Sequence, residues 1–503
     1  MNDLRDWIEL LRAEGELAEI TAEVDPHLEI TEIADRTMKA GGPALLFRNV
    51  RGSSMPVLIN QFGTERRMCL ALGVASLEEV RERVAGVFEL LQPPKGLGAV
   101  LDAAATGFRT LKDSKPRIVS DAPCQEVVVT EPDLDALPIM TCWPDDGGPF
   151  ITLPSVITRD PVTGGRNVGM YRLQKHSRTT LGLHWQIHKD GAADWREGGA
   201  GRMEVAIALG TDPVTAYAGS MPLPKHIDEL AVAGVLRNDR VDLVRCKTVD
   251  LEVPAGAEIV IEGYAERGVL EPEGPFGDHT GYYTPVEPFP VLHVTCITHR
   301  RDPIYPSIVV GVPPSEDVWL GKATERIFLP AVQMTLPEVV DYDLPFAGVF
   351  HNCCIVAIRK RFPGHARKVM HAVWGTGLLS LTKAVVVVDE WVDVHDYEQV
   401  VWQLGANVDP ARDVVLSTGP LDQLDHAPNL VAMGGKIGFD ATRTWPEEGY
   451  PRTWPEVARM SDEMRRRVDD RWDELGIAIP REASGPAPTT ARGRRGWLPR
   501  RGS

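Results

Sequence analysis

Residues 271–283 read EPEGPFGDHTGYY. Two carboxylates, Glu273 and Asp278, flank a Gly-Pro-Phe-Gly core in this stretch. Pro275 fixes one backbone dihedral, and the glycines around it permit conformations that other residues avoid. In a partly dry site, such a like-charged pair has its pKa values pushed apart, which predicts one proton donor and one permanent anion. A solvated acidic surface loop is the alternative reading of the stretch taken alone.

Composition bounds the class of protein. The chain has 503 residues, of which 43% are hydrophobic and 25% charged, as in a soluble globular protein of two to four domains. A net charge of -17 argues against a nucleic-acid partner. There is no apolar run of membrane-spanning length and no signal-peptide core at the N-terminus, so a cytoplasmic location is expected. The seven cysteines are scattered without a CxxC pair, which favours reduced thiols over disulfides or a zinc site.

The pattern of the chain predicts an α/β (α+β) fold in three domains and a tail. Residues 1–115 alternate helices and strands, and residues 116–315 are dominated by short strands typical of a β-barrel or open barrel. Residues 316–481 return to helices and buried strands, and the apolar run Ala384–Val388 is expected to be a parallel central strand. Residues 482–503 predict a disordered basic tail.

The individual strands and helices are predicted from periodicity. The expected helices are 4–13, 28–39, 228–236 and 460–475, with residues 77–115 mainly helical. The expected strands include 17–24, 44–50, 56–60, 126–129, 155–158, 168–173, 204–209, 214–218, 241–246, 258–262 and 291–298.

Two segments of the predicted barrel carry candidate functional residues. Residues 167–174 look like a strand in which Arg172 shares a face with apolar residues, and a semi-buried arginine requires a carboxylate or phosphate partner. Residues 183–191 carry His184 and His188 in a β-like run. There, a metal-binding pair is disfavoured, and a single histidine ligand or a structural histidine is expected.

Two further positions suit ions. Small residues in the stretch 218–224 allow a ligand to approach the backbone, and Glu229 near the following helix start suits a cation or a helix cap. Lys383, immediately before the apolar strand, suits a phosphate or a solvated surface.

Long uninterrupted segments give the chain a family resemblance. VDPHLEITEIADR at 24–36, GGPALLF at 41–47, PIMTCWP at 138–144 and the stretch 271–283 resemble the UbiD family of prenylated-flavin-dependent decarboxylases. The resemblance runs from residue 2 to residue 475 and is closest to the 4-hydroxy-3-polyprenylbenzoate decarboxylases. It implies that the central domain binds prenylated FMN and that the C-terminal domain supports a homodimer or homohexamer.

The resemblance also implies roles for individual residues. Glu273, Arg172 and Asp278 match the catalytic network, with Glu273 as proton donor and Asp278 as the partner that anchors Arg172. The implied ligands of a divalent cation, usually Mn(II), are Asn167, His188 and Glu229. The implied surroundings of K(I) are Val168, Ala218, Gly219, Met221 and Glu229. The implied cofactor-binding residues are Asn167, Met170, Tyr171, Arg172, Gln174, His188, Ser220, Met221, Pro222 and Lys383.

The implied reaction is the non-oxidative decarboxylation of an aromatic carboxylic acid, with 4-hydroxy-3-polyprenylbenzoate in ubiquinone or menaquinone biosynthesis as the leading substrate. Prenylated FMN acts as the electron sink, and a flavin prenyltransferase supplies it. A prenylated substrate is compatible with peripheral contact at the inner face of the cell membrane.

Other functions are weighed against this one. The same chemistry could act on a prenylated dihydroxynaphthoate, vanillate, protocatechuate or a heteroaromatic acid. A non-catalytic flavin-binding subunit is disfavoured because the catalytic set is complete. A zinc hydrolase using His351, Cys353 and Cys354 is rejected because these residues fall in a β-like run and alternate faces.

Overall fold

The computed structural model describes residues 1–90, 114–225 and 227–477. These residues form two compact units. The first comprises Met1–Met334, Phe346–Asn352 and Pro420–Gly434, and the second comprises Thr335–Pro345, Cys353–Gly419 and the chain from Gly435 onward. The predicted domain boundaries stay a prediction. The predicted basic tail, 482–503, and part of the predicted helical stretch, 91–113, lie outside the described residues.

The first unit is a mixed assembly of helices and three sheets. Its helices are α1 Leu4–Ala13, α2 Glu29–Lys39, α3 Glu65–Leu72, α4 Leu77–Leu90, α5 Asp190–Glu197, α6 Pro213–Ala218, α7 Glu229–Arg237 and α8 Asp317–Thr335. Its strands are β1 Leu17–Val24, β2 Ala44–Val50, β3 Val57–Ile59, β4 Arg117–Ile118, β5 Val127–Val129, β6 Phe150–Ile151, β7 Ser155–Arg159, β8 Arg166–Gly169, β9 Leu173–Lys175, β10 Thr180–Leu183, β11 Arg202–Leu209, β12 Asp242–Arg245, β13 Glu252–Pro254, β14 Ile259–Glu273, β15 Glu287–His299 and β16 Tyr305–Pro306.

The N-terminal part confirms the predicted alternation of helices and strands. Helix α1 begins where the Asp3 carboxylate accepts the backbone N–H groups of Arg5 and Asp6, and its apolar stripe, including Trp7, is buried. Strands β1 and β2 pair in parallel, and the sheet order is β1-β2-β3-β16. Strand β16, which follows the barrel strands in the chain, therefore joins the N-terminal sheet.

The central sheet confirms the predicted open barrel. Nine strands follow the order β6-β9-β10-β15-β14-β11-β7-β8, with β5 pairing on β15, and the sheet curls into a half-barrel. The long strands β14 and β15 pair antiparallel, with register shifts that bend the ladder. Glu273 is the last residue of β14, opposite Glu287, so the ladder delivers the first carboxylate of the stretch 271–283 to the end of the sheet. A third sheet has the order β13-β12-β4.

Four local predictions were wrong. The run 183–191, predicted to be β-like, leaves strand β10 at Leu183 and enters helix α5 at Asp190. Residues 214–218, predicted as a strand, form helix α6, because the Asp212 carboxylate caps the N-terminus and Pro213 occupies the first helical turn. The predicted strand 168–173 is interrupted, since β8 ends at Gly169 and β9 begins at Leu173. His351 lies in a 3₁₀ turn, Phe350–Asn352, before the strand that begins at Cys353.

The second unit is built around one five-stranded sheet. Its strands are β17 Val339–Asp343, β18 Cys353–Ile358, β19 Ala384–Asp389, β20 Val414–Pro420 and β21 Met433–Asp440, and its helices are α9 His365–Trp374, α10 Tyr397–Asn407, α11 Pro410–Asp413 and α12 Asp462–Asp470. Strand β19 lies between β18 and β21 and runs parallel to both, which confirms the predicted buried parallel strand. Helix α12 spans Asp462–Asp470 and is therefore shorter than the predicted helix 460–475.

None of the helices within residues 1–90, 114–225 and 227–477 combines the length and the hydropathy needed to cross a bilayer.

Candidate active site

Arg172 is the centre of a buried ionic cluster. Its Nε and Nη2 donate to the two oxygens of Glu273 at 2.8 and 3.1 Å, and its Nη1 donates to Oδ2 of Asp278. Nη2 also donates to the hydroxyl of Thr284 at 3.1 Å. The Arg172 side chain is 7% exposed, Glu273 is fully buried and Asp278 is 9% exposed. The sequence predicted one carboxylate partner for Arg172, and the structure provides two, Glu273 and Asp278.

The turn that carries the two acids is clamped by hydrogen bonds to backbone groups. Asp146 accepts the N–H groups of Cys142, Trp143 and Gly277 through its two carboxylate oxygens. The amide of Gly274 donates to the side-chain oxygen of Gln174 at 2.7 Å. The backbone N–H groups of Gly274 and Gly277 are thus paired with Gln174 and Asp146, and not with the two catalytic candidates.

Close packing completes the turn. Gly274 has a positive φ of 98°, and a Cβ added at Gly277 would lie 2.2 Å from the ring of Trp143, so larger residues do not fit there. Phe276 is buried, and the Arg172 guanidinium lies over its ring at 4.7 Å.

Two histidines complete the cluster. His184 Nδ1 donates to Oε2 of Glu273 at 3.0 Å. His279 contacts Asp278 Oδ1 through Nδ1 at 2.8 Å and through its backbone N–H at 2.7 Å. Burial lowers the pKa of His184, with Arg172 adding to the effect, so its imidazole is neutral at neutral pH.

The acid–base character of the pair differs from the prediction. Burial by itself would raise the pKa of Glu273, but hydrogen bonds from His184 and Arg172 outweigh it and lower the pKa to about 2. Burial by itself would also raise the pKa of Asp278, but other contacts outweigh it and lower the pKa. The hydrogen bond from His279 is the largest of these contacts. Both carboxylates are therefore ionised at neutral pH, instead of one donor and one anion, because cationic and N–H partners surround both.

Two of the three residues expected to hold a divalent cation lie at β8. Asn167 belongs to this strand, and Oε2 of Glu229 accepts the backbone N–H of Val168 at 3.0 Å. His188 lies three residues before Gly191, whose amide donates to the Tyr171 hydroxyl. Nε2 of His188 is buried and has no hydrogen-bond partner within residues 1–90, 114–225 and 227–477. Burial raises the pKa of Glu229 to about 7.

A hydrogen-bond chain fixes the orientation of the Asn167 amide. The hydroxyl of Thr158 donates to Oδ2 of Asp194 at 3.2 Å, and Nδ2 of Asn167 donates to the same hydroxyl at 3.0 Å. Thr158 and Asp194 are almost completely buried. The Thr158 hydroxyl uses its only hydrogen in the bond to the Asp194 carboxylate, so its oxygen can only accept a hydrogen bond from Asn167. The amide nitrogen of Asn167 therefore faces Thr158, and its amide oxygen is available to another partner.

The residues expected around a monovalent cation are also neighbours. Met170 follows β8, and its N–H donates to the carbonyl of Gly219 at 2.8 Å. The N–H of Met221 donates to the carbonyl of Ala218 at 3.2 Å, so α6 and the turn after it lie against β8. Each of these carbonyls retains a second lone pair.

The remaining expected cofactor-binding residues lie in three places. Met170, Tyr171, Arg172 and Gln174 lie between the end of β8 and the middle of β9, and Ser220, Met221 and Pro222 follow α6. Lys383 belongs to the second unit, immediately before β19, and is half-buried. The Ser220 hydroxyl donates to the carbonyl of Tyr217 at 2.7 Å.

Family models cover most of the chain. Residues 117–313 match the UbiD family model described as the 3-octaprenyl-4-hydroxybenzoate carboxy-lyase Rift-related domain. The N-terminal domain of the same carboxy-lyases matches residues 8–85, and their C-terminal domain matches residues 318–441. The chain belongs to the UbiD family.

Sequence relatives and solved structures agree with this assignment. An uncharacterized protein of Archaeoglobus fulgidus is 54% identical over 480 residues, which are 94% of this chain and 98% of the relative. The UbiD-class enzyme HmfF from Pelotomaculum thermopropionicum, solved with FMN, is 32% identical at a TM-score of 0.75, covering 90% of this chain and 97% of HmfF. The vanillic acid decarboxylase of Sedimentibacter hydroxybenzoicus is 28% identical at a TM-score of 0.84, covering 94% and 99% of the two chains.

The resemblance read from the sequence is thereby confirmed. The chain is a UbiD-class carboxy-lyase, and UbiD-class enzymes are decarboxylases. The buried ionic cluster lies in the part that matches the Rift-related domain. Sequence reasoning missed Thr158, Asp146 and Thr284, and it assigned no role to His279. Only His279 carried a local signal, since it directly follows Asp278.

We expect replacement of Glu273 by Gln to lower thermal stability at neutral pH and to matter less in acid. The pKa of Glu273 falls from its ordinary value of 4.5 to about 2 on folding. The ionised carboxylate therefore contributes stability that is complete above pH 4.5 and is lost as the pH falls towards 2. The difference in Tm between wild type and variant, measured by differential scanning calorimetry from pH 7 to pH 3, should shrink with falling pH.

Glu271→Gln is the control, because this side chain lies in the same strand and is 51% exposed. A Tm difference for Glu273→Gln that stays constant over this range would contradict the lowered pKa.

Proposed function

We propose that this UbiD family member removes carbon dioxide from 4-hydroxy-3-polyprenylbenzoate, in quinone biosynthesis, with prenylated FMN as cofactor. The observation that carries the proposal is the buried cluster in which one arginine faces two carboxylates, Glu273 and Asp278. A second candidate is the same reaction on a non-prenylated aromatic acid. It is favoured by the relative named as a vanillic acid decarboxylase.

The chemistry requires an electron sink. Loss of carbon dioxide from an aromatic carbon leaves negative charge that no side chain delocalises, and prenylated FMN supplies the sink when bound. An evolved dimeric form of HmfF has been solved with prenylated FMN. Here, the residues proposed to hold it are those between β8 and β9 and those after α6.

The donor set of Asn167, His188 and Glu229 fits a cation that would hold the phosphate of this cofactor. An amide oxygen, an imidazole nitrogen and a carboxylate suit Mn(II), and thiolates are absent from the set. The buried Nε2 of His188, which has no hydrogen-bond partner among the described residues, supports the same assignment. For K(I), the proposed ligands are Glu229 and carbonyls of the turn after α6.

Arg172 is proposed to bind the substrate carboxylate. In the cluster each of its three nitrogen atoms donates to a protein acceptor, Nη1 to Asp278 and both Nε and Nη2 to Glu273. An incoming carboxylate competes with Glu273 for two of these donors, whereas Asp278 can keep its own. Asp278 thus holds the guanidinium in position during the exchange.

Glu273 is proposed as the proton donor to the carbon that loses carbon dioxide. Complete burial would raise its pKa once the Arg172 contacts are lost, since those contacts and His184 are what lower it. With its pKa raised by substrate binding, the Glu273 carboxylate takes up a proton from solvent and can then act as a general acid. This accounts for an acid that is ionised in the ligand-free protein and neutral when the reaction needs it.

The assembly and surroundings of the enzyme are proposed as follows. A flavin prenyltransferase supplies the cofactor, and the chain forms a homodimer or homohexamer through its C-terminal part. A prenylated substrate would bring the enzyme into peripheral contact with the inner face of the cell membrane.

The substrate proposal is tested on holoenzyme produced with a flavin prenyltransferase. Carbon dioxide release is measured against prenylated 4-hydroxybenzoate, prenylated dihydroxynaphthoate, vanillate and protocatechuate, with and without oxygen. We expect the highest kcat/KM for the prenylated benzoate, and Glu273→Gln should lose turnover by at least about 100-fold while retaining flavin absorbance. Glu271→Gln serves as the control. Substantial turnover by Glu273→Gln would refute the proton-donor role, and preference for vanillate would favour the second candidate.

Replacement of His188 by Ala should remove the divalent cation and most of the flavin. Metal content is measured by elemental analysis and Mn(II) electron paramagnetic resonance, and flavin by its absorbance. The control is His299→Ala at the end of β15, whose Nδ1 lies 2.6 Å from the carbonyl of Arg300. Flavin occupancy equal to that of wild type in His188→Ala would count against the metal assignment.

Replacement of Thr158 by Val should weaken Mn(II) binding by about 10- to 100-fold, because the Asn167 amide would lose the acceptor that orients it. Thr158→Ser keeps the hydroxyl and should bind Mn(II) within about threefold of wild type, well inside the effect expected of an outer-shell loss. Titration followed by electron paramagnetic resonance gives both affinities. Equal weakening in the two variants would indicate a packing effect instead of an oriented amide.

A further inference from the structure

We propose that His279, His351 and Asp422 form a second site for a divalent transition metal, distinct from the group of Asn167, His188 and Glu229. One ligand atom from each of the three residues lies within 4.8 Å of the other two. All three belong to the first unit. They come from separate segments: the turn after β14, the 3₁₀ turn Phe350–Asn352 and the segment after β20. The fold thus brings together two histidines and one aspartate that no local sequence motif predicts to be close.

The side chains already point at one another. Oδ2 of Asp422 is hydrogen-bonded to Nε2 of His351, and Nε2 of His279 lies 3.9 Å from the same oxygen. The other oxygen of Asp422 accepts the backbone N–H of Leu424 at 2.9 Å, which fixes the carboxylate plane. Asp422 is 4% exposed and the two histidines are 16% and 21% exposed, so the set is sheltered and still reachable.

The orientation of His279 is an independent sign of a metal ligand. Its Nδ1 is held by the Asp278 carboxylate at 2.8 Å, and its Nε2 is buried with no hydrogen-bond partner in the part of the chain that the structure describes. A metal-bound histidine in proteins commonly has this arrangement, in which a carboxylate takes the N–H of one ring nitrogen and leaves the lone pair of the other for the metal.

The surrounding charges favour a cation. Asp278 contacts His279 directly, and Asp422 and Asp317, the first residue of α8, add negative potential at its imidazole. The ammonium group of Lys189 lies within electrostatic range of Asp422. Three carboxylates thus surround two imidazoles and one ammonium group.

The donor set defines the class of metal. Two imidazole nitrogens and one carboxylate oxygen are the ligands of zinc and related divalent ions such as Co(II) and Fe(II). Three protein ligands leave a coordination position for water or for an oxygen atom of a bound molecule. Asp278 would then link the Arg172 cluster to the second metal site, because one of its oxygens accepts from Arg172 and the other contacts His279.

The test uses Co(II) alone as the probe, added to the chelator-treated full-length protein and followed by visible absorption and calorimetry. We expect a d–d band and one equivalent of Co(II) that are retained in His188→Ala and lost in His351→Ala and in Asp422→Asn. Asp278→Asn should weaken binding by about 10- to 100-fold, as for loss of an outer carboxylate.

His426→Ala is the matched control, since this exposed histidine lies four residues from Asp422 and stacks on Tyr282. It should bind Co(II) as wild type does. Circular dichroism checks folding, and His351→Gln replaces the alanine variant if that variant unfolds.

Absence of bound Co(II) in His188→Ala, or equal binding by His188→Ala and the His188→Ala, His351→Ala double variant, would overturn the second site. Neither result bears on the proposed decarboxylation, because the readout is Co(II) binding and no turnover is measured.

Discussion

The buried guanidinium of Arg172 is the constraint on which the rest of the site depends. A cation in this position must be neutralised, and the loss of one partner of such a pair costs about 3–5 kcal/mol. Glu273 reaches it from the end of β14, and Asp278 reaches it across the turn that follows. The clamp of Asp146 on Gly277, and the close approach of Gly277 to Trp143, hold that turn where the second carboxylate can meet the arginine. These contacts keep the carboxylates of Glu273 and Asp278 within hydrogen-bond distance of the Arg172 guanidinium.

The same cluster explains how one acid can serve two states. Glu273 is an anion while Arg172 and His184 donate to it, and its pKa would rise if the Arg172 donors turned to another acceptor. Asp278 is held separately by His279, so it does not depend on Arg172 alone. Division of labour between two chemically similar side chains thus arises from their partners and not from their burial, which both share.

The interruption between β8 and β9 connects this cluster to the proposed metal group. A continuous strand would have placed Asn167 and Tyr171 on one face and Arg172 on the other, as alternation predicts. Instead, the chain leaves the sheet after Gly169, and the N–H of Met170 pairs with the carbonyl of Gly219. Periodicity could not foresee this, because the contact that ends the strand comes from a segment about fifty residues later. Helix α6 was missed for a related reason: its apolar residues suit a strand, and the Asp212 cap and Pro213 decide for the helix.

The sequence by itself determined the family, the mixed fold with a central barrel-like sheet, the parallel strand β19 and the acids that accompany Arg172. These features follow from local patterns and from long uninterrupted motifs, which can be recognised in the sequence without knowing which residues are in contact. Only the tertiary structure decided the ionisation of Glu273, the orientation of the Asn167 amide by Thr158 and Asp194, and the meeting of His279 with His351 and Asp422. Each of these depends on groups far apart in the chain, and a pKa or a ligand set is a property of the atoms that surround a side chain and not of its neighbours in sequence.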